Sequence, residues 1–171
     1  MTKTIHYVKI ISKVDKLTQV CRGEKMRVST KGRYGLRAMV DLAEHEKGKA
    51  IPIREISERQ NISEQYLEQL FATLRKAGLV KSVRGAHGGY MLNHEPEDIS
   101  VGDILTTLEG PIAPVDCVID KEEFCNYIDK CVIHGLWEEL ADSIKNVVDN
   151  MTLAELKDKA IKEHSDRSDV Q

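Results

Sequence analysis

The chain has 171 residues, 41% hydrophobic and 31% charged, with a net charge of −3. That is enough for one core, or one core and an appendage; no apolar run approaches the roughly 20 residues that span a bilayer. The opening "MTKTIHYVKIISKVDKLTQ" lacks the apolar centre of a secretory signal, so a cytoplasmic chain is expected, where clustered cysteines more often serve metal or redox chemistry than structural disulfides.

The charge is unevenly spread. Residues 1–25 carry six Lys/Arg against two acids, residues 26–92 twelve against seven, and residues 93–171 seven against nineteen. From Met26 to Ala38 there are four basic residues (Arg27, Lys31, Arg33, Arg37) and no acid. A basic front half suits a polyanion, which an acidic back half would repel. Two oppositely biased solvated faces would give the same count.

Residues 1–25 show only weak apolar spacing. The "RGEK" before Met26 can be encoded by a purine-rich string resembling a ribosome-binding site. Met26 is therefore expected to be the start, with residues 1–25 a non-native or disordered extension and Cys21 without a function. Intact mass of the natively expressed protein tests this, and a product retaining Thr2–Lys25 would refute it. From Thr30, a predicted N-cap, Leu36, Met39, Val40 and Ala43 recur at helical spacing up to a stop at Gly48. A short helix is predicted at Ile53–Gln60. After the turn "QNIS", Ser63 caps a third helix that buries Leu67, Leu70, Phe71 and Leu74 and ends at Gly78. Two strands follow, Leu79–Val83 and Gly89–Leu92, joined by a glycine-rich tip bearing Arg84 and His87. Helix–turn–helix plus β-hairpin predicts a winged helix over residues 26–98. A helix capped by Ser100, a cysteine loop, a long amphipathic helix (Leu136, Trp137, Leu140, Ala141, Ile144, Val147, Val148, Met151) and a last helix Leu153–Ile161 capped by Thr152 make up residues 99–160. The tail 161–171 reads as disordered. The fold class is mainly α with a small β-hairpin wing.

A helix–turn–helix places its second helix in the major groove, N-terminal residues first. Here those residues are Ser63, Glu64, Gln65, Tyr66, Glu68 and Gln69. Gln pairs with adenine and Glu accepts from the cytosine amine. Arg84 on the wing suits a narrow minor groove, and Lys31, Arg33, Arg75, Lys76 and Lys81 suit phosphates. Polar-ended helical hairpins are also common as protein-docking modules.

The stretch "CVIDKEEFCNYIDKCVIH" places Cys117, Cys125, Cys131 and His134 at C-x7-C-x5-C-x2-H. Four readings are open on residues alone. Structural zinc favours tighter Cys pairs. Cys131 with His134 as nucleophile and base lacks a visible orienting residue. Three loop cysteines could switch by disulfide exchange. Thiolates with one imidazole also suit an iron–sulfur cluster.

"MRVSTKGRYGLRAMVDLAEHEKG", "IREISERQNISEQYLEQLFATLRKAGLVKSVRGAHGGYMLN" and "CVIHGLWEEL" resemble the IscR-type winged-helix regulators, a bacterial family with NsrR, RirA and CymR branches; the likeness covers about Met26 to Lys157. The resemblance implies a DNA-binding regulator, not an enzyme. It also implies a homodimer with crossing C-terminal helices and no small-molecule substrate, on a two-fold operator with half-sites about one helical turn apart. It puts Gln65, Glu68 and Gln69 at base edges, with Glu68 choosing between operator classes, and Arg84 in the minor groove. It makes Cys117, Cys125, Cys131 and His134 ligands of a 2Fe–2S cluster. The x7 gap, where many IscR proteins have x5, is met in RirA-like proteins and keeps 4Fe–4S in view. NsrR relatives supply an aspartate just before "YG", where this chain has Arg33, which cannot ligate iron; that favours His134. CymR-like relatives lack the cysteine set. The expected function is repression of iron–sulfur assembly genes according to cluster status. The alternatives are a thiol- or zinc-responsive regulator of the same fold, or a cluster carrier using the winged helix for docking.

Overall fold

A computed structural model describes residues 28–85, 87–119 and 128–168. The N-terminal extension with Cys21, the wing-tip Ala86, Cys125 and the last three residues lie outside the described residues. The rest falls into two compact units, one with residues 28–112 and 142–168, the other with residues 113–119 and 128–141.

In the first unit, helix α1 (Thr30–His45) opens at Ser29, whose hydroxyl accepts the Lys31 N–H at 3.0 Å. Thr30, the expected cap, is instead the first helical residue. The buried stripe is Ala38, Met39, Leu42 and Ala43, while Leu36 and Val40 are only half-buried. The inward face is thus turned slightly from the one predicted. The helix stops three residues before Gly48, because Glu46 leaves it in extended backbone and its carboxylate takes the Leu92 N–H at 2.6 Å. Helix α2 (Ile53–Gln60) has the predicted bounds, anchored by buried Ile56 and ended by Asn61 in the left-handed region at φ 53°. Helix α3 (Glu64–Lys76) buries the predicted Leu67, Leu70, Phe71 and Leu74. It ends at Lys76, with Gly78 at φ +81° providing the reversal.

Strands β1 (Val80–Val83) and β2 (Gly89–Leu92) pair antiparallel, Val80 opposite Leu92 and Val83 opposite Gly89. Leu79 stays outside β1 because its N–H closes back on the Leu74 carbonyl at 3.0 Å. Ile51 and Tyr90 exchange two backbone hydrogen bonds of 2.9 Å, which add a third rung beside the wing. A Cβ at Gly89 would strike the Ile51 carbonyl, so this close approach requires glycine.

Helix α4 (Val101–Glu109) begins with a reciprocal capping box. The Asp103 N–H reaches Ser100 Oγ at 2.9 Å, and the Ser100 N–H reaches the Asp103 carboxylate at 3.0 Å. Helix α7 (Leu153–Ser168) uses Thr152 and Glu155 in the same way, at 3.2 and 3.3 Å. It runs seven residues past the predicted Ile161, so 161–168 is helix and not disordered tail. Val101 N–H to Met151 and Leu153 N–H to Ile99, both 2.8 Å, tie the starts of α4 and α7 together. Ile56, Phe71, Val80, Ile99, Ile104, Leu108 and Leu153 share one core, so that core continues across the division expected at residue 98. Each fully buried aliphatic or aromatic side chain there contributes about 1.5–3 kcal/mol relative to exposure.

The second unit holds the single turn α5 (Asp116–Ile119), a 3-10 turn at Ile128–Lys130, and the first turns of α6 (His134–Asn150), whose later turns belong to the first unit. No helix among the described residues is long and apolar enough to cross a membrane.

Candidate functional site

Helix α3 divides cleanly by face. Leu67, Leu70, Phe71 and Leu74 point into the core, while Ser63, Glu64, Gln65, Glu68 and Gln69 are exposed. Gln65, Glu68 and Gln69 stand at i, i+3 and i+4, so their side chains form one polar row. Ser63 begins the helix through its backbone carbonyl, which accepts from Tyr66 and Leu67 at 3.1 and 3.0 Å. Its side chain makes no capping bond, unlike the sequence expectation. Tyr66 is half-buried and meets Tyr34 edge-on at 6.1 Å, and the Arg37 guanidinium lies 5.7 Å from the Tyr34 ring. Arg75, in the last turn, donates to Ser82 Oγ on β1 at 3.2 Å and so links the recognition helix to the wing. Arg84 and His87 are exposed on the wing; Gly85 sits at φ +116° between them, and the Gly88 N–H closes onto the Gly85 carbonyl at 2.9 Å. At the start of α1, Lys31 is half-buried and Arg33 exposed. Arg33 makes a long 3.5 Å contact to Thr30 Oγ1.

The docking of α2 on α1 rests on a group that sequence reading missed. Asp41 is 2% exposed and accepts from Arg59 Nε at 3.0 Å, Arg59 Nη2 at 2.9 Å and Gln60 Nε2 at 3.0 Å. Arg37 donates to the Gln60 carbonyl at 2.8 Å. The Asp41 carboxylate hydrogen-bonded to Arg59 pushes that guanidinium above its usual range, against the opposing effect of burial. A buried charge must be paired this way, and the pair fixes where α2 docks on α1. The signal available was one acid within the apolar stripe of a helix whose first turns are basic. Glu109 was missed as well: its Oε1 takes the Ser29 hydroxyl and the Gly32 N–H, both at 2.6 Å, across the positive N-terminus of α1.

In the second unit, Cys117 lies half-buried in α5, and Cys131 half-buried after the 3-10 turn, its N–H on the Ile128 carbonyl at 3.2 Å. The His134 N–H donates to the Cys131 carbonyl at 3.2 Å, so the C-x2-H pair folds as one turn leading into α6. The His134 side chain is 13% exposed, and neither ring nitrogen makes a hydrogen bond with any described residue. Nε2 lies 3.3 Å from Glu138 Oε1, an ion-pair distance without hydrogen-bond alignment. Among the described residues, no three His, Cys, Asp or Glu side chains are gathered as metal ligands. Cys125, the remaining member of the predicted set, lies outside them. Thiolates and a half-buried imidazole whose shielded nitrogens have no hydrogen-bond partner among the described residues are the donor chemistry an iron–sulfur cluster takes, so the residues fit such a group.

A helix–turn–helix with a polar outer row, backed by a hairpin carrying an exposed arginine, defines a winged-helix regulator. The sequence model of the Rrf2 family, described as an iron-dependent transcriptional regulator, matches residues 28–159. The chain is 46% identical over 131 residues to the HTH-type transcriptional regulator CymR of Bacillus subtilis, covering 77% of this chain and 89% of that one. To the regulator IscR of Serratia proteamaculans it is 45% identical, covering 77% and 79%. The solved structure of B. subtilis CymR, "the Global Cysteine Regulator", matches with a TM-score of 0.65 at 44% identity, covering 78% of this chain and 97% of that one. That of T. potens IscR matches at 0.64 and 48% identity, covering 78% and 88%. The chain belongs to the Rrf2 family of transcription regulators, and is not an enzyme.

Proposed function

We propose that this regulator works in the cytoplasm as a homodimer on a two-fold DNA operator and senses iron–sulfur status through a cluster held by Cys117, Cys125, Cys131 and His134. Gln65, Glu68 and Gln69 read base edges, with Ser63 and Tyr66 beside them at the major-groove end of the helix, Arg84 enters the minor groove, and Lys31, Arg33, Arg75, Lys76 and Lys81 hold phosphates. The observation that carries the cluster reading is His134. Burying two ring nitrogens with no hydrogen bond is costly unless something else takes a lone pair. When bound, the cluster supplies a redox-labile centre whose loss reports iron shortage or oxidation. The two iron nuclearities differ in what the loop must span, and the IscR-like ligand set favours 2Fe–2S over 4Fe–4S. The chain's own part is to fix the loop leading into α6, and with it the geometry of two paired recognition helices. Iron–sulfur assembly genes are the target programme this reading supports.

Operator binding tests it. Anaerobically loaded protein and protein stripped by chelator should differ in affinity or in operator preference. Identical binding by both forms would contradict the reading.

Similarity to CymR equals that to IscR and supports a second reading, a thiol-responsive regulator in which Cys117, Cys125 and Cys131 report oxidation directly. It predicts operator binding that responds to peroxide and thiol reductant in metal-free protein.

A further inference from the structure

We infer that Glu138 is a positioning residue for His134, holding its Nε2 side and leaving Nδ1 for iron. The inference rests on the cluster reading above and deepens it.

His134 and Glu138 occupy i and i+4 on α6, so their side chains lie on one face, one turn apart. The ring is nearly buried, and its Nε2 already lies 3.3 Å from Glu138 Oε1. Nδ1 has no polar neighbour in hydrogen-bonding geometry among the described residues. Among the described residues the two nitrogens are therefore unequal: Nε2 lies beside a carboxylate, and no polar partner reaches Nδ1. A metal-bound imidazole nearly always donates its other N–H to a carboxylate or carbonyl, which fixes tautomer and ring orientation and raises ligand basicity. At 3.3 Å the pair is within reach of that bond and lacks only its alignment. Glu138, 40% exposed, keeps one flank in water, so holding its charge there costs little. It does not need to touch iron. A more basic imidazole favours the oxidised state, so Glu138 should lower the reduction potential relative to an uncharged neighbour.

The test uses full-length protein purified without oxygen, as wild type, Glu138→Gln and Glu138→Ala, with folding checked by circular dichroism. Readouts are iron and sulfide content, the reduction potential, nitrogen hyperfine coupling in the reduced cluster, and the rate of cluster loss to a chelator. The expected result for Glu138→Ala is a more positive potential, altered nitrogen coupling and cluster loss several-fold faster than wild type. Glu138→Gln, which keeps a hydrogen-bond acceptor, should fall between. Unchanged potential and nitrogen coupling in Glu138→Ala would overturn the assignment. So would the absence of iron and sulfide from both folded variants as purified, the outcome expected if Glu138 were itself a ligand. A wild-type protein without iron and sulfide would overturn the cluster reading, and this assignment with it.

Discussion

At the scale of single residues, Asp41 and Glu68 divide structure from recognition. Asp41 accepts from Arg59 and Gln60 in a site almost closed to solvent. Asp41→Ala strands those donors; because Arg59 is 29% exposed and can turn to water, the cost should sit near or below the lower end for breaking a buried pair, about 2–3 kcal/mol. Thermal unfolding should show a melting point lower by about 5–10 °C, and a shift under 2 °C would contradict the role given to this network. Glu68 makes no hydrogen bond or ion pair with any described residue, and stands exposed in the polar row of α3. Glu68→Ala should leave stability within about 0.5 kcal/mol. It should relax sequence preference in a binding-site selection more than it changes overall affinity. An unchanged preference would remove Glu68 from the base-reading set. The polar row was legible because periodicity assigned Leu67, Leu70, Phe71 and Leu74 to the core and left Gln65, Glu68 and Gln69 outside. Asp41 was not, since nothing in sequence ties it to Arg59, eighteen positions away.

At the scale of elements, α6 stands apart. It carries an amphipathic stripe, yet Leu136 is 52% exposed, Val147 62% exposed, and Ala141 its one buried residue among those described. An apolar stripe left this open is what a second helix covers, which supports pairing with another copy. Leu140→Asp together with Val147→Asp should turn a dimer into a monomer in sedimentation, with helix content kept. A wild-type monomer, or a dimer indifferent to both substitutions, would refute it. The helical elements were readable where caps and turn residues bounded them, as at the Ser100 start of α4. α7 was read too short, because "KEHSDRS" has no apolar period. A helix already nucleated at Thr152 gains a hydrogen bond per added residue, and Lys and Glu sustain it without burial. His164 Nδ1 also lies 3.5 Å from Glu44 on α1. α1 was read one residue late at its cap for a related reason: Ser29 and Thr30 are both good caps, and the Glu109 carboxylate at Ser29 decides between them.

At the scale of the whole molecule, the front-to-back charge asymmetry becomes a binding property. Operator affinity should fall steeply with salt, and Arg75→Ala should lower the slope of log K against log salt by about one. A salt-insensitive complex would favour protein docking. The element order of the winged helix was legible, because each element is local and its period is written in the residues. The cysteine loop was legible only as a set of candidate ligands, because spacing does not encode which side chains meet in space, and Cys125 lies outside the described residues. What the structure adds is the state of His134, half-buried with both ring nitrogens shielded, joined by one turn to Cys131 and beside Glu138. The most direct test of the account is iron, sulfide and zinc analysis, with visible absorption, of full-length protein purified without oxygen. The protein should be brown and contain iron and acid-labile sulfide, both lost in Cys131→Ala and weakened in His134→Ala. Colourless protein holding one zinc per chain, or no metal at all, would contradict it.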